Sequence, residues 1–112
     1  MESIRQNKIS RLIQKEMGEM FQSEMAALRG HSMVTVTHVS VTRDLSLARI
    51  HLSLFATQDK TALFKKITES KKEIRHALAI RVKSQLRVVP ELEFFIDDAL
   101  DYIEHIDQLL KQ

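Results

Sequence analysis

The stretch Val34-Thr35-Val36-Thr37-His38-Val39-Ser40-Val41-Thr42, followed after a short polar break by Ala48-Arg49-Ile50-His51-Leu52-Ser53-Leu54, decides how this chain folds. Both runs alternate aliphatic and polar residues, the period of a strand with one buried face. In the second, Ala48, Ile50, Leu52 and Leu54 share one face and Arg49, His51 and Ser53 the other. In the first, the apolar phase slips between Val36 and Val39, which predicts a bulge near Thr37 and His38. A connection as short as the one around Arg43, Asp44 and Ser46 makes the two runs an antiparallel hairpin, with Arg43 and Asp44 read as a turn-stabilising pair.

Upstream, Ile4, Ile9, Leu12, Ile13, Met17, Met20, Phe21 and Leu28 recur mostly three or four apart, the spacing of one helix with a single apolar stripe. Ser3 with Gln6 has capping-box form, and Gly30 offers a stop just past Leu28. Downstream, Thr57 to Asp59 supply capping groups; Leu63, Phe64 and Ile67 mark a short helix, and Ile74, Leu78, Val82 and Leu86 a longer one. Pro90 keeps Val89 out of helical geometry, so that helix ends before it. Leu92, Phe94 and Ile96 alternate as a third strand, and Asp97 or Asp98 can cap a final helix carrying Tyr102, Ile103, Ile106, Leu109 and Leu110. The order is α-β-β-α-α-β-α. A right-handed crossover through the two central helices sets strand 3 parallel to strand 2 and makes strand 2 central. The expected class is α+β, a three-stranded sheet of a hairpin plus a parallel third strand with helices on one face, in a single domain over residues 1–112.

Charge is unevenly distributed along this frame. Residues 60–87 carry nine basic side chains against two acidic ones, net +7, whereas residues 88–112 carry one against seven, net −6. Residues 1–16 add four basic groups against two, among them Arg5, Lys8, Arg11 and Lys15. Such asymmetry predicts one pole suited to a polyanion and another that repels it. The absence of cysteine removes disulfides, thiolate nucleophiles and sulfur-ligated metals, and suits a reducing compartment. With a polar start and no long apolar run, the expectation is a soluble, cytoplasmic protein without a membrane segment.

The element order resembles the KH fold of the bacterial, type II arrangement, a recurrent RNA-binding module. An ordinary KH domain grips nucleic-acid backbone with a Gly-x-x-Gly loop between its central helices, but this chain has only Gly18 and Gly30 and lacks that loop. The stretches from Val34 to Ile50 and from Leu86 to Asp98, with Arg43-Asp44-Leu45 after strand 1, Arg87-Val88-Val89-Pro90-Glu91-Leu92 before strand 3 and Ile106, Leu109 and Leu110 near the end, resemble the ribosome-binding factor A family. The similarity runs from about Gln6 to Leu110. It implies a KH-like fold in which an interhelical kink replaces the glycine loop; Ser70, Lys71 and Lys72 stand where the family usually has Ala-x-Gly. It further implies binding to the immature small (30S) ribosomal subunit and its 16S rRNA, promoting rRNA processing and late maturation. Ribosomal proteins and assembly GTPases are the further implied partners; a monomer without cofactor is expected.

The candidate RNA-binding side chains are Lys71, Lys72, Arg75, Arg81, Lys83 and Arg87, supported by Arg5, Lys8, Arg11 and Lys15 on helix 1. Phosphate contacts of this kind position an RNA without reading its sequence. Arg75 and Arg81 point to different helix faces, so about half of the set is expected to touch RNA. With five Phe and one Tyr, mostly at core positions, recognition by shape and charge is favoured over base stacking. Catalysis finds little support. His31, His38, His51, His76 and His105 are scattered, and Glu73 with His76 makes a single Glu-x-x-His where a di-metal bundle needs two. Asp97, Asp98 and Asp101 are better explained as helix-start residues than as metal ligands. The rivals are a protein-interaction module using exposed Phe55 or Phe95, and a metal-dependent hydrolase.

Overall fold

The computed structural model describes residues 3–97. Among them lie α1 (Ile4–Gln22), α2 (Ala26–Arg29), β1 (Met33–Val41), β2 (Leu47–Phe55), α3 (Lys60–Glu69), α4 (Lys71–Val82) and β3 (Glu91–Ile96). The expected final helix, from Asp98 through Tyr102 to Leu110, lies outside the described residues.

The sheet follows from the alternation. β1 and β2 pair antiparallel from Met33↔Phe55 to Val41↔Ala48, and the register shifts between Val36 and His38, leaving Thr37 as the bulged residue. β3 pairs parallel to β2, from Leu47↔Glu91 to Leu52↔Ile96, so β2 is central. Val34, Val36, Val39, Val41, Ala48, Ile50, Leu52, Leu54, Leu92 and Phe94 are buried on the inner side together with Ile13, Met17, Met20 and Phe21 of α1 and Ile67, Ile74, Leu78 and Val82 of α3 and α4. Each of these side chains larger than alanine contributes about 1.5–3 kcal/mol on leaving water, which makes this layer the main source of stability. Ser53, assigned by alternation to the outward face, is nonetheless fully buried.

The first helix stops earlier than its apolar stripe suggests. α1 opens with the Ser3–Gln6 capping box: the Gln6 amide donates to Ser3 Oγ at 3.1 Å and the Ser3 amide to Gln6 Oε1 at 2.9 Å. It closes at Ser23, whose hydroxyl and amide both donate to the Glu19 carbonyl, at 2.9 and 3.1 Å. The amide bond is still helical, but at φ −116° and ψ −75° the Ser23 backbone leaves the helix, and the Met25 amide reaches back five residues to the Met20 carbonyl at 2.7 Å. Leu28 therefore belongs to α2, which ends at Gly30 with φ 59°, a conformation that suits glycine. Ile4, counted in the stripe, is 79 % exposed because it precedes the covered part of the helix.

Asp59 caps α3 by accepting from the Ala62 amide at 3.0 Å. α4 ends at Val82, with the Gln85 and Leu86 amides turning back to the Val82 carbonyl at 2.8 Å. Leu86 consequently sits in the connection to β3, half-buried rather than within a helix. In the β1–β2 turn the carboxylate of Asp44 accepts from the Thr42 hydroxyl (2.8 Å), the Ser46 hydroxyl (2.7 Å) and the Ser46 amide (3.1 Å). The expected Arg43–Asp44 pair is thus replaced by a hydroxyl-based turn, while Arg43 is exposed.

Candidate nucleic-acid interface

α3 and α4 meet at one residue. Ser70 has φ −92° and ψ 13°, and its amide donates to the Lys66 and Ile67 carbonyls at 3.1 Å, which ends α3 before α4 begins. Ser70 is thus the single residue between the two helices, and Lys71 and Lys72 occupy the first turn of α4. A helix N-terminus carries partial positive charge, so two cations there are locally unfavourable and one acidic residue in that turn, Glu73, offsets them incompletely.

These lysines open onto a groove of about 590 Å³ whose wall also carries Arg75, Lys83 and Arg87, with Leu86 and Val89 beneath and Glu91 as its carboxylate. Lys72, Lys83 and Arg87 are exposed and Lys71 is half-buried. Arg75 is committed differently: its guanidinium donates to the Pro90 carbonyl at 3.1 Å and the Val89 carbonyl at 2.6 Å, and stands 3.7 Å from Glu91. It pins the segment entering β3 to α4 and so shapes the groove wall. Arg81 faces the other way. Its guanidinium meets Glu16 at 2.8 Å, Glu19 at 2.6 Å and Glu24, joining α4 to α1 and its C-terminal turn. The bonds to Glu16 and then Glu24 raise its already high pKa further, so its charge is neutralised within the molecule.

Helix 1 contributes to a second groove on the opposite side of the segment 85–90. Arg5 and Lys8 line it, and Leu86 and Arg87 are common to both grooves. Arg11 and Lys15 are exposed on α1 and line neither of these two grooves. Of the predicted cations, Arg5, Lys8, Lys71, Lys72, Arg75, Lys83 and Arg87 are therefore gathered around one connecting segment, and Arg81 is withdrawn from them. The anchoring role of Arg75 had no signal in the sequence, since its carbonyl partners become neighbours only when β3 docks beside β2.

No group of three or more His, Cys, Asp or Glu among the described residues could hold a metal ion. His38, His51 and Phe95 instead form a ring row across the sheet, with His51 stacked on Phe95 at 5.1 Å and His38 5.6 Å from His51. Phe55 and Phe95 are half-buried, so neither supplies the exposed aromatic that a protein-interaction reading expected. No helix among the described residues is long and apolar enough to cross a membrane.

The family model for ribosome-binding factor A matches residues 5–110. Ribosome-binding factor A of Cytophaga hutchinsonii is 41 % identical over 112 residues, covering 100 % of this chain and 84 % of its own length. That of Flavobacterium psychrophilum is 44 % identical over 112 residues, covering 98 % and 85 %. Among solved structures, the crystal structure of ribosome-binding factor A from Thermus thermophilus superimposes with a TM-score of 0.66 at 20 % identity, over 81 % of this chain and 94 % of the other. A Thermotoga maritima solution structure described as a putative ribosome-binding factor A gives 0.56 at 20 % identity, over 77 % and 84 %.

Proposed function

Because this chain belongs to the ribosome-binding factor A family, we propose that it is a non-catalytic assembly factor that binds the immature 30S subunit and its 16S rRNA and promotes rRNA processing and late maturation. The observation that carries this reading is the cationic groove opened by Lys71 and Lys72 at the start of α4 and walled by Lys83 and Arg87. Two lysines on a positively polarised helix end are an arrangement that an external phosphate would relieve. In this reading residues 1–112 form one KH-like domain of type II arrangement, with the Ser70 kink in place of the Gly-x-x-Gly loop. Lys71, Lys72, Lys83 and Arg87 make the principal phosphate contacts, Arg5, Lys8, Arg11 and Lys15 extend them along α1, and Arg75 supports the groove wall. Arg81 acts inside the protein. The factor works as a cytoplasmic monomer, with ribosomal proteins and assembly GTPases as its further partners, and acts by binding one rRNA conformation better than another.

Sedimentation of the purified protein with immature small subunits, in low and in moderate salt, tests this. Co-migration that weakens with salt and disappears in a Lys71→Glu/Lys72→Glu variant is the expected result. Co-migration indifferent to both would replace the RNA reading with an apolar protein contact.

A further inference from the structure

The second groove, of about 650 Å³, differs in chemistry from the first. Its floor is aliphatic, built from Ile9 and Leu12 of α1, Leu45 of the hairpin turn, and Leu86 and Val88 of the segment before β3. Arg5, Lys8 and Arg87 stand around it, and the carboxylate it contains, Asp44, already accepts hydrogen bonds from Thr42 and Ser46. Two of the floor residues stand out, Val88 by its exposure and Leu45 by its backbone. Val88 is 76 % exposed. Leu45 has φ 62°, a left-handed backbone conformation that glycine or asparagine would adopt more readily than leucine. The turn thus holds a leucine in a strained position, with its side chain between the core and the groove.

We propose that this groove binds a short amphipathic segment of a protein partner, one that presents aliphatic side chains flanked by carboxylates. An aliphatic floor with no aromatic ring suits leucine-like anchors better than a nucleobase, which gains most from stacking on aromatic planes. Arg5 and Arg87 can each grip a carboxylate with two parallel hydrogen bonds, and Lys8 adds a point charge between the helix and the turn. The occupant is a protein and so goes beyond the RNA reading of the neighbouring groove. Arg87 lines both grooves, and the RNA reading also uses Arg5 and Lys8 along α1, so an acidic segment seated here draws on cations that RNA binding uses, and the two binding events oppose.

Methyl-detected NMR on the full chain tests the proposal with three probes: a synthetic amphipathic helix of leucine and glutamate, its counterpart with glutamine in place of glutamate, and a short oligouridylate. The leucine–glutamate helix is expected to shift the Ile9, Leu12, Leu45, Leu86 and Val88 methyls saturably, and the glutamine version to bind about tenfold more weakly. Val88→Asp, at an exposed position that should leave the fold intact, is expected to weaken the acidic helix by a similar factor; Lys8→Glu provides a second, independent variant. The proposal is overturned if the oligouridylate moves these methyls and the acidic helix does not. It is overturned equally if the glutamine helix binds as well as the glutamate one, or if both variants bind the acidic helix like the parent chain.

Discussion

The guanidinium of Arg29 donates to the Phe21 and Gln22 carbonyls at 2.7 and 3.3 Å, so the end of α1 is closed by a side chain arriving from the next turn. It also donates to the Ser32 carbonyl at 3.1 Å, which ties α2 and the start of β1 to that helix end. Replacing it by methionine keeps the stem and removes the donors. Urea denaturation of Arg29→Met should show a loss of roughly 1–3 kcal/mol with unchanged m-value, and a loss near zero would mean that water caps those carbonyls equally well. Gly18 presents the opposite case. It lies within α1, and a Cβ built there meets nothing within 4 Å. Gly18→Ala should therefore raise stability by about 0.5–1 kcal/mol, the helix-propensity difference, and a decrease would reveal a close approach. Asp44 supplies a pH prediction. The Ser46 hydroxyl, then the Thr42 hydroxyl and the Ser46 amide, hold its carboxylate below 3.8 in the folded chain. A depressed folded-state pKa means stability present above the unfolded value and lost as pH falls through the folded one, so the turn should loosen only below pH 3.8. A carboxyl titration by NMR with its midpoint at or above 3.8 would show that these bonds are not held in solution.

Between elements, Arg81 ties α4 to α1 through carboxylates of unequal exposure. Arg81 is 22 % exposed and Glu16 is 16 % exposed, so their pair is better shielded than the pairs with Glu19 and Glu24. A double-mutant cycle of Arg81→Met with Glu16→Gln should give a coupling of about 1 kcal/mol that persists in salt better than an exposed pair does. The Lys65–Glu69 pair, at 4.0 Å with both side chains mostly exposed, is the natural control and should give almost none. α1 is also fastened to the sheet away from its apolar stripe. The buried Gln6 side chain donates to the Val41 carbonyl at 2.8 Å, joining the first turn of the helix to the end of β1. That a capping-box glutamine would serve a strand as well was not legible, because its second partner lies 35 residues away.

At the level of the whole molecule, cations scattered over two helices and a connection become one flank. The segment 85–90 separates an aliphatic groove from a cationic one, and Leu86 and Arg87 contribute to both. If this flank meets rRNA, neutralising Lys71, Lys72, Lys83 and Arg87 to glutamine one at a time should each lower the slope of log affinity against log salt by up to about 0.9, while Arg81→Gln should change stability and leave the slope intact. Measured affinities for immature subunits across a salt series would decide this, and a slope unmoved by all four would remove these side chains from the interface.

The three strands, their hairpin, the bulge at Thr37 and the parallel placement of β3 could be read from the chain itself, because alternation of β-branched and polar residues and a two-helix crossover are local constraints with few solutions. The resemblance to the family was legible in the same stretches. Which charges remain available was not. Arg81 and Lys83 look alike along the chain, yet one faces three glutamates and the other faces solvent, because the packing of α4 on α1 sets where each points. Likewise Ser23 stops a helix whose stripe continues to Leu28, and Leu45 becomes part of a groove floor only when the hairpin turn meets α1 and the segment before β3. Local periodicity is written in consecutive residues, but the partner of a side chain is chosen by the elements that reach it.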